Sequence, residues 1–232
     1  MSANPLVSVI VPVWNMERYV GEALRSVFAQ TYRPLEVIVV NDGSTDGSAH
    51  VARGFVEVIL LDQAHQGVAA ARNLGLERSR GELIAFLDAD DLWEPEKLTL
   101  QVAWLNDHPE VGYVTAHFRN LLEEGVPRPG WIRQEQLDEV QQGGVPNLVA
   151  RRSVFDLAGR FDPAHRSGSD LDWVVRAKDA KVRGDVVPHV LLRRRIHRTN
   201  QSYHWQGGKA MLLRALKASI DRQRRSGAPE EA

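Results

Sequence analysis

The sequence predicts an α/β fold with a mostly parallel central sheet and helices on both faces. Three observations carry that expectation. Short apolar runs rich in Val, Ile and Leu recur at residues 6–13, 35–40, 56–61 and 83–87, the pattern of strands buried on both faces. Segments with helical spacing lie between them, so strand and helix alternate as in βαβ units, and right-handed crossovers spread the helices over both faces. Asp88, Asp90 and Asp91 close the fourth run, at a strand's carboxyl end, where open α/β sheets bind ligands.

Residues 6–13, LVSVIVPV, are strongly β-branched, as a buried first strand requires. Pro12 assigns the end of that strand to an edge or a turn. A helix is expected over 17–30, with Tyr19, Val20, Ala23, Leu24, Val27 and Phe28 at helical spacing. The strand 35–40 runs into Asn41-Asp42-Gly43-Ser44-Thr45-Asp46, a cluster of turn and cap residues, and a short helix to about Arg53. A third strand at 56–61 precedes an alanine-rich helix at 66–78, interrupted by Gly75. The turn signal Arg80-Gly81 then opens the acidic strand.

Beyond Asp91 the pattern changes. A helix at 95–106 and a strand at 111–118 precede a long irregular insertion, 119–146, of the kind that covers a site. A short apolar stretch at 147–150, helices at 152–158 and 169–178, and a strand at 186–196 with Pro188 inside follow. The last helix, 205–225, sets Leu212, Leu213, Leu216 and Ile220 among Lys209, Arg214, Lys217, Arg222, Arg224 and Arg225. Its apolar stripe either packs on the core, the commoner fate of such helices, or lies on an anionic membrane surface. Residues 226–232 are expected to fray.

The 232 residues suffice for one large domain or two small ones. Lys plus Arg is 29 and Asp plus Glu is 30, and this balance excludes a general nucleic-acid binder, which needs a basic excess. The absence of cysteine excludes disulfides and thiolate zinc sites and allows a reducing compartment. The first residues lack a basic n-region and a long apolar core, so no signal peptide is expected. No apolar run approaches the ~20 residues of a membrane helix. The expected location is the cytoplasm, with peripheral contact to the inner face of the membrane as the alternative.

Three carboxylates this close repel, and burying them unpaired is costly. A hard divalent cation resolves the conflict; Mg2+ is commonly held by one or two carboxylates plus substrate phosphates. The competing reading is a helix start, with Asp91 as cap ahead of Leu92-Trp93-Glu94-Pro95.

VSVIVPVWN at 7–15, NDGSTDGS at 41–48, GVAAARNLGL at 67–76 and LDADD at 87–91 together resemble family 2 glycosyltransferases, which have the nucleotide-diphosphosugar transferase (GT-A) fold. The resemblance runs from Leu6 to about Ser202 and is weakest over 119–146. It implies that residues 1–118 bind a nucleotide-sugar donor and 119–232 an acceptor. Pro12, Val13 and Trp14 match the nucleobase pocket, where Trp14 offers a flat face to a uracil ring; the alternative for Trp14 is packing against the following helix. Asp42 matches the acid that accepts the base's imide N–H, against a turn or cap role. Arg72 matches the basic residue near base and phosphates, against an exposed helical arginine.

Asp88, Ala89 and Asp90 match the DxD signature. The resemblance gives Asp90 a divalent metal, Mn2+ or Mg2+, bridging the phosphates, Asp88 the ribose or sugar, and Asp91 a supporting role to either. His197 matches a histidine that reaches metal or diphosphate. Arg193, Arg194, Arg195 and Arg198 beside it have the chemistry to grip phosphate, or form a solvated strand end. In Gly168-Ser169-Asp170-Leu171-Asp172-Trp173, with Arg176, serine stands where the family has glutamate, and Asp170 falls on the catalytic base; the alternative is a first-turn dipole acid.

The implied activity is an inverting, metal-dependent transfer of one sugar from a nucleoside diphosphate sugar, a UDP-sugar, to an acceptor hydroxyl. The Gln-x-x-Arg-Trp motif of processive synthases is absent. A nucleotidyltransferase of similar fold should carry a Gly-rich loop where this chain has PVWNMER, and a dehydrogenase GxGxxG. Ser169 raises the rival of a donor-binding relic without turnover.

Overall fold

The computed structural model describes residues 4–165, 168–200, 213, 215, 217–222 and 224. The chain opens with β1 (Val7–Val13), α1 (Val20–Phe28), β2 (Leu35–Asp42), α2 (Ser48–Arg53), β3 (Val58–Gln63), α3 (Val68–Arg78) and β4 (Leu83–Phe86). Next come β5 (Leu92–Trp93), α4 (Lys97–Asp107), β6 (Val111–Leu122), α5 (Glu135–Asp138) and β7 (Gln141–Gln142). After a 3-10 turn at Val145–Asn147 follow β8 (Val149–Arg151), α6 (Ser153–Ala158), α7 (Ser169–Asp179) and β9 (Arg183–Ile196).

The strands form one sheet in the order β3-β2-β1-β4-β8-β6-β9-β5, with β7 beside β6. β1 pairs in parallel with β2 and β4, and β2 with β3. β8 runs antiparallel between β4 and β6, and β9 returns parallel to β6. The expected α/β fold is therefore present, and β6 carries the sheet across residues 118 and 119.

All seven residues of β1 are buried, because its side chains alternate between two covered faces. Val7, Val9, Val11 and Val13 join Leu24 and Val27 of α1 and Leu98 and Leu105 of α4. Ile10 faces the other way, toward Leu76, Phe86, Phe155, Phe161 and Trp173. Gly75 is explained by this packing: a Cβ there would lie 2.4 Å from Ile10 Cγ2, so glycine lets α3 lie close on β1.

Several expectations are corrected. Pro12 does not break β1, which pairs with β2 through Val13, but the edge expected at this end is present: the ladder with β4 stops at Ile10, so the missing N–H falls beyond it. Leu92 and Trp93 do not start a helix but pair antiparallel with Arg193 and Leu192, and α4 begins only at Lys97. Residues 119–122, expected to be irregular, continue β6 by pairing with Arg193 through Ile196. Pro188 sits in a bulge, where Ala116 and His117 pair with Val187 and Val190.

Most of the expected helix 205–225 lies outside the described residues. Residues 213, 215, 217–222 and 224 are helical. Leu213 and Ile220 of the expected buried stripe are exposed, whereas Ala215 and Ser219 are buried. Ser219 Oγ and Arg222 Nε donate to Asp179 of α7 at 2.7 and 2.8 Å. Among the described residues no helix is long and apolar enough to cross a membrane.

Candidate active site

Strand order reverses between β1 and β4, and such a switch point opens a crevice at the carboxyl ends of the strands. A pocket of about 590 Å³ lies there. Pro12, Val13, Trp14, Asp42, Arg72, Asp88, Ala89, Asp90, Asp91 and Asp170 all line it.

At one end, Trp14 is 41% exposed, so it does not pack as a helix staple. Its ring stacks on His65 with centroids 4.4 Å apart and planes 23° apart. Asn15 takes a left-handed φ of 52° and accepts the N–H of Thr45 at 2.8 Å, tying this turn to the 41–48 loop. Asp42 ends β2 and is buried. Its Oδ1 accepts Gln63 Nε2 at 2.7 Å and the Gln66 N–H at 2.8 Å. Its Oδ2 accepts the Gly67 N–H at 2.8 Å and faces His65 Nδ1 at 2.9 Å.

Arg72 is no exposed helical arginine: it is 2% exposed and spans the middle of the pocket. Nη2 donates to Asp88 Oδ1 at 2.8 Å, and Nη1 donates to Asp170 Oδ1. The guanidinium also lies near the rings of Phe86 and Phe161. Burial works against its charge, but Asp170 and Asp88 hold its pKa above the ordinary arginine value.

The acid turn follows β4. Burial, with the charges of Asp90 and Asp170, outweighs the pull of Arg72 and raises the Asp88 carboxyl to about 6. Asp91 is buried and accepts the Arg195 N–H at 2.9 Å. Burial, then Asp90 and Asp88, raise it well above the usual carboxylate range. Asp90 Oδ2 lies 3.0 Å from His197 Nε2 and accepts Asn200 Nδ2 at 2.7 Å. His197 is itself buried, stacked on Tyr19, with Thr199 Oγ1 2.8 Å from its Nδ1.

Among the described residues no three imidazole or carboxylate groups converge to make a complete metal cage. Asp90 and His197 still fit a divalent cation of the kind that takes one or two protein ligands and fills its shell with substrate phosphate and water. Thr199 Oγ1 against His197 Nδ1 fixes the orientation of the imidazole, as a ring that is to hold a cation through Nε2 requires.

At the far end, α7 starts after Gly168, whose φ is 83°. Asp170 keeps a side-chain exposure of 38% and faces the pocket. Asp172, two residues on, diverges from it; it is buried in an ion pair with Arg176 Nε at 2.8 Å. Ser169 is 1% exposed, with Oγ 3.4 Å from Asp170 Oδ1. The basic cluster divides: Arg194 and Arg195 line the pocket, whereas Arg193 pairs with Glu94. Arg195 also pairs with Glu22.

The sequence reading passed over His65 and gave Asn200 no role of its own. Both lie in turns. What marks His65 is its place between the end of β3 and Gly67, within two residues of Asp42's other donors, Gln63, Gln66 and Gly67, and that is legible only once β2 and β3 are paired.

A family model described as Glycosyl transferase family 2 matches residues 8–162. The chain belongs to that family. An uncharacterized glycosyltransferase of Rickettsia typhi, RT0329, is 40% identical over 208 residues, 84% of this chain and 65% of the relative. S. aureus TarS 1-349 in complex with UDP-GlcNAc superposes with a TM-score of 0.75 at 20% identity, over 97% of this chain and 68% of that one. The mannosyltransferase PcManGT from Pyrobaculum calidifontis, in complex with GDP-Man and Mn2+, gives 0.69 at 24%, over 98% and 66%. These likenesses show that the family 2 chain has the GT-A fold. The chain spans less than two thirds of the first curated relatives it matches, from 14% to 63% of their length.

Proposed function

We propose that this chain transfers one sugar, with inversion, from a UDP-sugar to an acceptor hydroxyl. One observation carries the reading: an aromatic face, a buried arginine, the acid turn and an unburied helix-start carboxylate converge on one pocket at the switch point of the sheet. Trp14 and Asp42 bind the base, Arg72 and Asp88 meet the phosphates and the sugar or ribose, and Ala89 allows close approach. Asp90 and His197, with Asp91 in support, would hold Mn2+ or Mg2+. When bound, that cation neutralises charge developing on the departing diphosphate.

Asp170 takes the proton of the acceptor hydroxyl. The oxygen attacks the anomeric carbon, the bond to the diphosphate oxygen breaks on the opposite side, and nucleoside diphosphate leaves. The Arg72 ion pair holds Asp170 Oδ1 toward the pocket; position, more than basicity, is what this base supplies. Two features support a nucleoside diphosphate sugar as donor: the GT-A fold, and the ligands with which its structural neighbours are in complex, UDP-GlcNAc and GDP-Man with Mn2+. The choice of uracil rests on its N3–H, which a carboxylate accepts.

The test is calorimetry with UDP and GDP in the presence of Mn2+, followed by a nucleotide-sugar panel read by thermal shift, since ligand binding raises the melting temperature by mass action. UDP should bind more tightly. Tighter GDP binding removes uracil from the reading, and binding of neither nucleotide removes the donor.

A further inference from the structure

Asp42 is the feature that the donor reading leaves in conflict. An ionised carboxylate offers about four lone-pair positions, and Asp42 meets four groups: Gln63 and Gln66 on Oδ1, Gly67 and His65 on Oδ2. A nucleobase N–H would be a fifth. The flat face assigned to the base is also taken, because the His65 ring stacks on Trp14 at 4.4 Å. One side chain thus makes both contacts a base would make: a planar ring on the indole and a ring nitrogen on Asp42 Oδ2.

We propose that His65 is an internal competitor for the nucleobase, and that its side chain swings off Trp14 and Asp42 for a base to bind. This rests on the donor reading above. The other three groups on Asp42 are poorly placed to leave. The Gln66 and Gly67 N–H groups belong to the main chain at the start of α3, where the Gly67 carbonyl accepts the Ala71 N–H at 3.1 Å. Gln63 lies directly across the β2–β3 ladder from Asp42. His65 instead sits in the turn between β3 and α3, with its side chain 49% exposed.

Its main chain is held close under the loop after β2: a Cβ on Gly43 would lie 2.7 Å from His65 N. The motion is therefore a rotation of the side chain and needs no shift of the turn. Leaving costs His65 one stack, the contact with Asp42 Oδ2 and a contact of 3.1 Å between its Nδ1 and the Asp42 carbonyl. Asp42 is repaid by the base, and so is Trp14.

The test is calorimetric titration of the full chain with UDP, GDP and inorganic pyrophosphate, each with Mn2+, on the parent protein, His65→Ala and His65→Phe. His65→Ala should bind the preferred nucleotide roughly three- to tenfold more tightly, the scale of one net hydrogen bond no longer broken. His65→Phe keeps a ring on Trp14 and should gain less than His65→Ala. Pyrophosphate, which has no base, should bind all three proteins alike. Equal or weaker nucleotide binding by His65→Ala overturns the proposal and leaves the donor reading standing. So does a pyrophosphate gain as large as the nucleotide gain. Binding of neither nucleotide by the parent protein overturns the donor reading, and this proposal with it.

Discussion

Asp170→Asn and Asp172→Asn change one charge each on the first turn of α7, two residues apart, and should have opposite consequences. Asp172 has a side-chain exposure of 6% and is paired with Arg176 at 17%. Removing one partner from a fully buried pair costs about 3–5 kcal/mol. Arg176 retains the carbonyl oxygens of Ala158 and Arg160 as acceptors and some solvent, so about half that cost, ~2 kcal/mol, is expected here. At ~2–4 °C per kcal/mol for a domain of this size, the melting temperature should fall ~4–8 °C.

Asp170 is 38% exposed and shares Arg72 with Asp88, which stays in place. Its neutralisation should change stability by about 1 kcal/mol or less. Losing a positioned base, however, typically costs about 10²–10⁴-fold in turnover. The assay is nucleoside diphosphate release from the best-binding nucleotide sugar with Mn2+, alongside a melting curve for each variant. A dead Asp172→Asn of full stability, or an Asp170→Asn of parental turnover, would refute the assignment of the base.

Asp90→Asn should weaken Mn2+-dependent UDP binding at least ~10-fold with the melting temperature kept, because Asp90 lines the pocket in direct contact with His197 Nε2 at 3.0 Å and carries no core packing; calorimetry with unchanged Mn2+ dependence would take the metal out of the account. Lys97 is fully buried against Gln101 Oε1 and the face of Trp93, and burial lowers its pKa well below 10.5. A depressed lysine penalises folding below the unfolded-state pKa of ~10.4, so parental stability should rise as pH climbs toward that value. Lys97→Met should then melt higher at pH 7, by a margin that shrinks toward pH 10; a lower melting temperature at pH 7 would contradict this. Cutting the chain before Gly207 removes Ser219 and Arg222 from Asp179 and should lower the melting temperature, as should Asp179→Ala, each by roughly 2–4 °C for ~1 kcal/mol; a truncated protein with unchanged melting would show that this helix contributes nothing to the fold.

The parallel half of the sheet was legible because its signals are local. Val7 through Val13 and Leu35 through Val40 are β-branched runs buried on both faces, and that burial is written into composition. The residues at the strand ends were legible for the same reason: motif and strand lie side by side in the chain. The second half was less so. Residues 119–122 look irregular because their pairing partners, Arg193 to Ile196, lie about 70 residues away. Leu92 and Trp93 left a helix start open as the competing reading because two residues carry no periodicity.

The sequence by itself determined the α/β alternation, the buried faces and the side chains offered at each strand end. Tertiary structure decided which of them meet. Arg72 is a helical arginine in the sequence; only the packing of α3 on β1 and β2 brings its side chain between Asp88 and Asp170. Asp170 and Asp172 are alike in sequence, and the rotation of α7 sends one to the pocket and the other to Arg176. His65 shows the same limit: its partners, Trp14 and Asp42, lie 51 and 23 residues away in the sequence. A chain's local preferences set each element's form, but electrostatic partners are chosen by distance in space, which no local pattern encodes.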